Sequence, residues 1–412
     1  MNNKPIRCLI LLCLVAIAAS GTVVAKENKV NISWLTAQIK KHPQVKAAKE
    51  VLNAQLYEAD GLDKALYNPE LSSDFGKEGA EKTYTLGINQ TIDFTNKRKS
   101  KRQQAVFARI SAQKNYELLL QDKMAQALNA LVTWEANLKR SELVGQQEKQ
   151  IEDLLEIIKR RINSGDLGEL DAELTYLSLS KLFGETARMQ AQLRRAEADL
   201  KELLPDWQNN TVDIPLNNWD TNTQRNYDDL IDQHPMVQVA KSQWEVAMLT
   251  AEVAKKEKKA DPTIGLEAGK LGSEDVLSLT FSMPLYFRNN FSSQYKAANQ
   301  QANAAESNYL AAIRKQQFAI EASKLALNEY RNRYQKWQTL MHGRAENSES
   351  LLQKQWNVGD ISTTQYLLTL QQRTEGLLAG IELEQEYQFA LIQLLLDTAQ
   401  LYSTQETTEI SK

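Results

Sequence analysis

The chain has 412 residues, enough for two or three ordinary domains, and a formal charge of −3 that is close to balanced. Such a balance leaves no electrostatic footprint for nucleic acid, so no nucleic-acid partner is expected. Only 8 prolines and 16 glycines interrupt a sequence that is 25% charged, which suits long, solvated amphipathic helices better than one large globular core.

Residues 1–25 read as a secretory signal peptide. Lys4 and Arg7 form a positive start, Leu9 to Ala19 is apolar but short for a membrane span, and Val23-Val24-Ala25 offers a cleavage site. Both cysteines, Cys8 and Cys13, fall inside this stretch, so the mature chain is expected to hold neither disulfide nor reactive thiol. A lipid anchor on Cys13 is the weaker alternative, because apolar Leu14 to Ala19 follows it directly.

The rest is a duplication. His42-Pro43 recurs as His234-Pro235, Asn68-Pro69 as Asp261-Pro262, Phe94 as Phe287 and Gly165-Asp166-Leu167 as Gly359-Asp360-Ile361, in the same order and at nearly constant spacing. The first repeat is placed at 26–205, a connector at 206–224, the second repeat at 225–403 and a polar tail at 404–412. Each repeat opens with a helix at its His-Pro pair, where proline suits the first helical turn. That helix is expected to run to about Tyr67, or to about Lys259 in the second copy. The Asn68-Pro69 and Asp261-Pro262 pairs then stop it.

Two hairpins follow. Leu71, Ser73 and Phe75, then Tyr84, Leu86, Ile88 and Ile92, alternate with polar residues, predicting strands over about 70–76 and 83–94. In the second copy Ile264, Leu266 and Ala268, then Leu277, Leu279, Phe281, Met283 and Leu285, predict strands over about 262–269 and 276–287. The segments Lys77 to Lys82 and Gly269 to Asp275 are read as the connecting loops. Each hairpin has one apolar face and one face of Ser, Thr, Gly and Asn.

After each hairpin comes a long proline-free segment, expected to break only at a tip turn, at about 163–168 or 357–362. From Asn96 to Asn163 it would extend about 100 Å as continuous helix. Ile151, Leu154, Ile158 and Ile162 before the first turn, and Leu167, Leu170, Leu174 and Leu177 after it, form narrow stripes suited to helix-on-helix packing. Glycine allows the tight reversal, and Asp166 or Asp360 is expected to cap the returning helix.

About ten residues per long strand, tilted, reach across the ~25 Å apolar layer of an outer-membrane barrel. Strands in lipid must close on themselves, and four per chain are too few, so a membrane reading requires an oligomer. The other reading is a soluble helical scaffold carrying two exposed hairpins. Neither reading is enzymatic: nothing resembles a nucleophile elbow or a phosphate loop, and no cofactor pattern is present. His42 and His234 are repeat mates at helix starts and His342 is isolated, so no metal site is assigned. The run Lys97, Arg98, Lys99, Lys101 and Arg102 is read as surface charge, with attraction of anionic lipid headgroups as the second reading.

Taken together, the doubled His-Pro starts, Asn68-Pro69-Glu70-Leu71, the run Ile92-Asp93-Phe94-Thr95-Asn96-Lys97-Arg98 and the two Gly-Asp turns resemble the TolC-type outer-membrane efflux factors over essentially the whole mature chain. The resemblance implies a fold of mainly α class with membrane β: a long α-helical barrel and four strands per chain in a shared trimeric, twelve-stranded β-barrel. It implies a homotrimer in the outer membrane of a Gram-negative bacterium. The periplasmic adaptor would dock at Gly165, Asp166, Leu167, Gly359, Asp360, Ile361 and Ser362, with an inner-membrane pump of the RND type behind it. Asp171 and its repeat mate Gln365 stand where the family narrows the tunnel. Tyr84, Leu86, Ile88, Leu277, Leu279 and Phe281 would face lipid. Within the family the Asn-Pro-Glu-Leu and Asp-Phe-Thr-Asn-Lys-Arg runs look most like the CzcC/CusC branch, which serves export of heavy-metal cations. Related chains carry organic compounds or secreted proteins.

Overall fold

The computed structural model describes residues 32–208 and 228–402. The expected signal peptide, most of the connector with Trp219, and the polar tail lie outside the described residues.

The chain in order is α1 (Ile32–Lys41), α2 (Pro43–Asp63), β1 (Glu70–Glu78), β2 (Glu81–Thr91), α3 (Lys97–Asn163), α4 (Glu169–Leu203), α5 (Asp228–Gln233), α6 (Pro235–Glu257), β3 (Thr263–Leu271), β4 (Glu274–Ser282), α7 (Ser292–Met341), α8 (Arg344–Asn357) and α9 (Thr363–Asp397). Both opening helices begin as the His-Pro pairs dictate. His42 Nδ1 accepts the Gln44 backbone N–H at 3.3 Å and His234 Nδ1 accepts that of Met236 at 3.2 Å, with proline in the first turn of each. The short α1 and α5 ahead of them were not anticipated.

One antiparallel sheet holds all four strands in the order β1-β2-β3-β4. The two hairpins meet at β2 and β3, where Ile88 faces Leu266 and Leu86 faces Ala268. The reversals are two residues long, Gly79-Ala80 and Gly272-Ser273, with Glu78 facing Glu81 and Leu271 facing Glu274. They are therefore tighter than the expected loops. Two strands also stop early, β2 at Thr91 and β4 at Ser282. Thr263 pairs with Ser282, and β3 begins there, just after Pro262. Met283, Leu285 and Phe287 continue the alternation but have no strand beside them.

The helices pack as long antiparallel pairs. α3 lies against α2, α4, α6 and α9, and α7 against α6 and α9. The main core joins α1, α3, α4 and α9 around Leu35, Met124, Leu128, Leu131, Leu200 and Ile392, each nearly inaccessible. Trp207 closes it edge-on against Trp134, with ring centroids 4.7 Å apart. A second cluster holds the far end, where Ile151, Leu154 and Ile158 of α3 meet Leu179 and Leu182 of α4 and Leu352, Trp356, Tyr366 and Leu370 of α8 and α9. On α4 the expected stripe divides: Leu170 and Leu177 face outward, and Thr175, Leu179 and Leu182 are buried instead.

The two copies differ in their long helix. α3 is continuous for 67 residues, whereas its counterpart breaks at His342-Gly343 into α7 and α8. Gly343 takes φ +66° there. Among the described residues no helix is long and apolar enough to cross a membrane.

Candidate functional site

The sheet sorts its side chains by face. Leu71 and Phe75, Tyr84, Leu86 and Ile88, Ile264 and Leu266, and Leu277, Leu279 and Phe281 are cross-strand neighbours on one side. All are exposed, Leu279 to 77% and Leu277 to 74%. Among the described residues nothing covers this surface. Phe75 and Tyr84 meet edge-to-face near its hairpin end, with centroids 5.6 Å apart.

The opposite face is polar and crowded. Asn89 donates to Ser72 Oγ at 3.1 Å, and the Thr91 and Thr263 hydroxyls lie 2.8 Å apart. A β-carbon added to Gly265 would fall on the side chains of Asn89 and Thr280, and one added to Gly87 on those of Glu267 and Ser72. The side chains thus converge on this face, so the sheet is concave on its polar side and convex on its apolar side. The concave face also carries Glu70, Asp74, Glu81, Glu267 and Glu274, with no Lys or Arg among the described strand residues.

At the sheet base the two repeats are joined by a buried ion pair. Lys97 Nζ lies 2.6 Å from Asp261 Oδ2, with side-chain exposures of only 7% and 4%. Tyr67 donates its hydroxyl to the same oxygen at 2.6 Å. Burial first, then the Asp261 carboxylate, push the Tyr67 phenol well above its usual range. Asp93 accepts the backbone N–H groups of Lys97 and Arg98 at 2.9 and 2.8 Å, closing the start of α3. Lys97 is therefore not the surface charge expected of the basic run.

At the other end both Gly-Asp turns adopt the same geometry. Gly165 and Gly359 have φ of +82° and +83°. Gly165 N–H bonds the Ile162 carbonyl and Asp166 N–H that of Arg161, both at 2.9 Å; Gly359 to Trp356 and Asp360 to Gln355 repeat the pattern at 3.1 and 2.9 Å. This pair of bonds satisfies carbonyls that the helix end leaves open, and its left-handed residue is why glycine is needed. Neither aspartate caps the returning helix. The caps fall two residues later, at Gly168 and Ser362. Ser362 and Gln365 form a reciprocal capping box: Gln365 Oε1 accepts the Ser362 N–H at 2.9 Å and Ser362 Oγ accepts the Gln365 N–H at 3.2 Å. The Gln365 amide is thereby held against its own helix, while Asp171 in the equivalent turn of α4 is half-buried and makes no such cap.

The two tips touch each other. The Arg161 guanidinium stands 4.4 Å from the ring centre of Trp356 and donates to the Asn357 carbonyl and side-chain oxygens at 3.3 Å. Higher up, Glu349 accepts from Arg373 at 2.7 Å and from Gln150 at 2.5 Å, tying α8 to α9 and α3. Leu351, Val358 and Leu368 remain exposed around these contacts, beside Leu170 and Leu177.

Long paired helices carrying a four-stranded sheet with a bare apolar face define the fold of the outer-membrane channel proteins. The chain matches the channel-forming CusC with a TM-score of 0.74 at 11% identity, over 90% of this chain and 92% of that one. It matches the outer membrane protein VceC of Vibrio cholerae with a TM-score of 0.71 at 14% identity, over 89% and 96% of the two chains. A membrane protein from Pseudomonas aeruginosa is similar with a TM-score of 0.72 at 15% identity, over 97% and 99%. At these identities the likeness is one of fold. No family model and no curated protein matches the sequence.

Proposed function

We propose that this chain is one subunit of a homotrimeric outer-membrane conduit of a Gram-negative bacterium, with its helices in the periplasm. A periplasmic adaptor would meet it at the two Gly-Asp tips, and an RND-type inner-membrane pump would drive export. The observation that carries this reading is the sheet, which has a convex apolar face that none of the described residues covers and an edge strand, β1 or β4, with no further strand beside it among them. In lipid an open edge leaves backbone groups without partners, at several kcal/mol for each. The smallest bacterial barrels have about eight strands, so four must be completed by other copies. Three copies joined β4 to β1 give a closed barrel with the apolar faces outside and the concave polar faces inside.

The cargo is inferred to be heavy-metal cations. The support is the charge of the concave face, where Glu70, Asp74, Glu81, Glu267 and Glu274 of each copy would line the passage. An acidic, partly dehydrated wall raises the local cation concentration. The exposed Leu170, Leu177, Leu351, Val358 and Leu368 near the tips supply apolar surface for neighbouring copies and an adaptor.

Deleting the gene and measuring growth in zinc, cobalt, cadmium, nickel, copper and silver, beside detergents, dyes and antibiotics, tests the reading. Selective metal sensitivity is expected. Sensitivity to organic compounds alone would overturn the cargo and favour an organic-compound conduit. Recovery of the mature chain as a soluble periplasmic monomer would overturn the conduit in favour of a helical scaffold.

A further inference from the structure

The convex face carries charge at its hairpin end alone. Lys77 and Lys82 are direct cross-strand partners, and Lys270 lies next to them on β3, facing Tyr84. All three are exposed. They alternate in phase with Phe75, Tyr84 and Ala268, so they belong to the apolar face, just past the Phe75–Tyr84 pair. Two lysines placed opposite each other repel, which disfavours the bare pair. Asp275 is the acidic residue on this face, and it reaches only Lys270, at 3.7 Å with both groups largely in solvent. Lys77 and Lys82 have no acidic partner among the described residues. At the same level the concave face carries Glu81 and Glu274. At this end the convex face thus carries three lysines against one acid and the concave face acids alone, an imbalance that solubility by itself does not require.

We propose that Lys77, Lys82 and Lys270 bind the phosphates of lipopolysaccharide in the outer leaflet, with its acyl chains lying on Phe75, Leu71 and Leu86. The proposal rests on the conduit reading, which puts the hairpin ends in that leaflet. Lysine stems can run along apolar surface while the ammonium groups reach the headgroup level. Each ammonium then donates charge-assisted hydrogen bonds to a phosphate, and the repulsion between Lys77 and Lys82 becomes shared attraction for one anion. The bis-phosphorylated lipid A disaccharide offers two such groups above several acyl chains. That chemistry matches a basic rim above an apolar wall, and a single-phosphate glycerolipid matches it less well.

The test uses the full-length protein extracted from outer membranes and stripped of lipid in detergent. Binding of bis-phosphorylated lipid A, dephosphorylated lipid A and phosphatidylglycerol is measured for wild type and for K77Q/K82Q, with K101Q as a control outside the sheet. Heat-modifiable mobility on gels reports whether each variant is still a trimer. Wild type and K101Q should prefer bis-phosphorylated lipid A, and K77Q/K82Q should bind it roughly 10- to 30-fold more weakly, at about fivefold per lysine. Equal affinity of wild type for phosphorylated and dephosphorylated lipid A would overturn the proposal. So would equal affinity for phosphatidylglycerol, or an unaltered affinity in a trimeric K77Q/K82Q. Absence of any trimer from the outer membrane would overturn the conduit reading as well, and is scored separately from binding.

Discussion

Replacing Lys97 by methionine tests whether one buried charge pair holds the two repeats together beneath the sheet. The Lys97 ammonium and Asp261 carboxylate are 2.6 Å apart and almost wholly shielded from water. Asp261 Oδ2 also receives the Tyr67 hydroxyl, and Asp261 Oδ1 has no hydrogen-bond partner among the described residues. Without the ammonium, the carboxylate stays buried with one hydrogen bond. Breaking such a pair from one side costs about 3–5 kcal/mol, whereas replacing both partners with apolar groups of similar volume is often neutral. Lys97→Met is therefore expected to destabilise by about that amount, and Asp261→Leu with Tyr67→Phe added to it should restore most of the loss. The assay is urea unfolding of the detergent-solubilised protein, followed by circular dichroism and by heat-modifiable mobility. A Lys97→Met variant within about 1 kcal/mol of wild type would refute the argument, since that is the scale of an exposed pair. A triple variant no more stable than the single one would refute it as well.

Three further outcomes are expected. Leu279→Arg, midway along β4 on the convex face, adds about 2–4 kcal/mol per chain to the cost of sitting in lipid, so heat-resistant trimers should disappear from outer-membrane fractions; undiminished assembly would reverse the assigned faces. Burial holds the His234 imidazole below its usual range, against a hydrogen bond to the Leu396 backbone. The unfolded chain then takes up the proton first, so this contribution to stability is complete above about pH 6.5 and declines as the pH falls below it. His234→Asn keeps a cap acceptor without titrating, and urea midpoints measured from about pH 7.5 to 5 should fall less steeply than in wild type. Finally, a β-carbon at Gly380 would land on the indole of Trp337, which donates to the Gly376 carbonyl at 3.2 Å. Gly380→Ala should cost about 1–3 kcal/mol by overpacking, visible as a lower urea midpoint with an unchanged slope.

Alternation of side chains made both hairpins legible, and the duplication gave the order of the helices. The strand ends were not legible, because alternation reports which way a side chain points and not whether a neighbour exists to accept its backbone bonds. Leu285 and Phe287 keep the rhythm of β4, yet β3 begins only at Thr263, so the ladder stops at Ser282. The segment Lys77 to Lys82 was read as a connecting loop, but Lys77, Glu78, Glu81 and Lys82 stand on strand and the turn takes just two residues. At the tips, the glycine and its reversal were readable, while the cap was assigned to the first available acid. Ser362 with Gln365 three residues later is itself a capping pattern, and it accounts for Gln365 without a tunnel. The Lys97–Asp261 pair is long-range and joins the two copies, so no local pattern discloses it.

The interruption at Gly343 makes the two copies mechanically unequal. One arm is a single strut of 67 residues; the other has an elbow, with α8 as a forearm of 14 residues between it and the tip turn. That forearm is about 21 Å long, so a bend of about 10° at the elbow would carry its end sideways by about 4 Å. The strut offers no such joint. Arg161 on the strut and Trp356 on the forearm therefore meet across a contact that has a helix break behind one side and none behind the other.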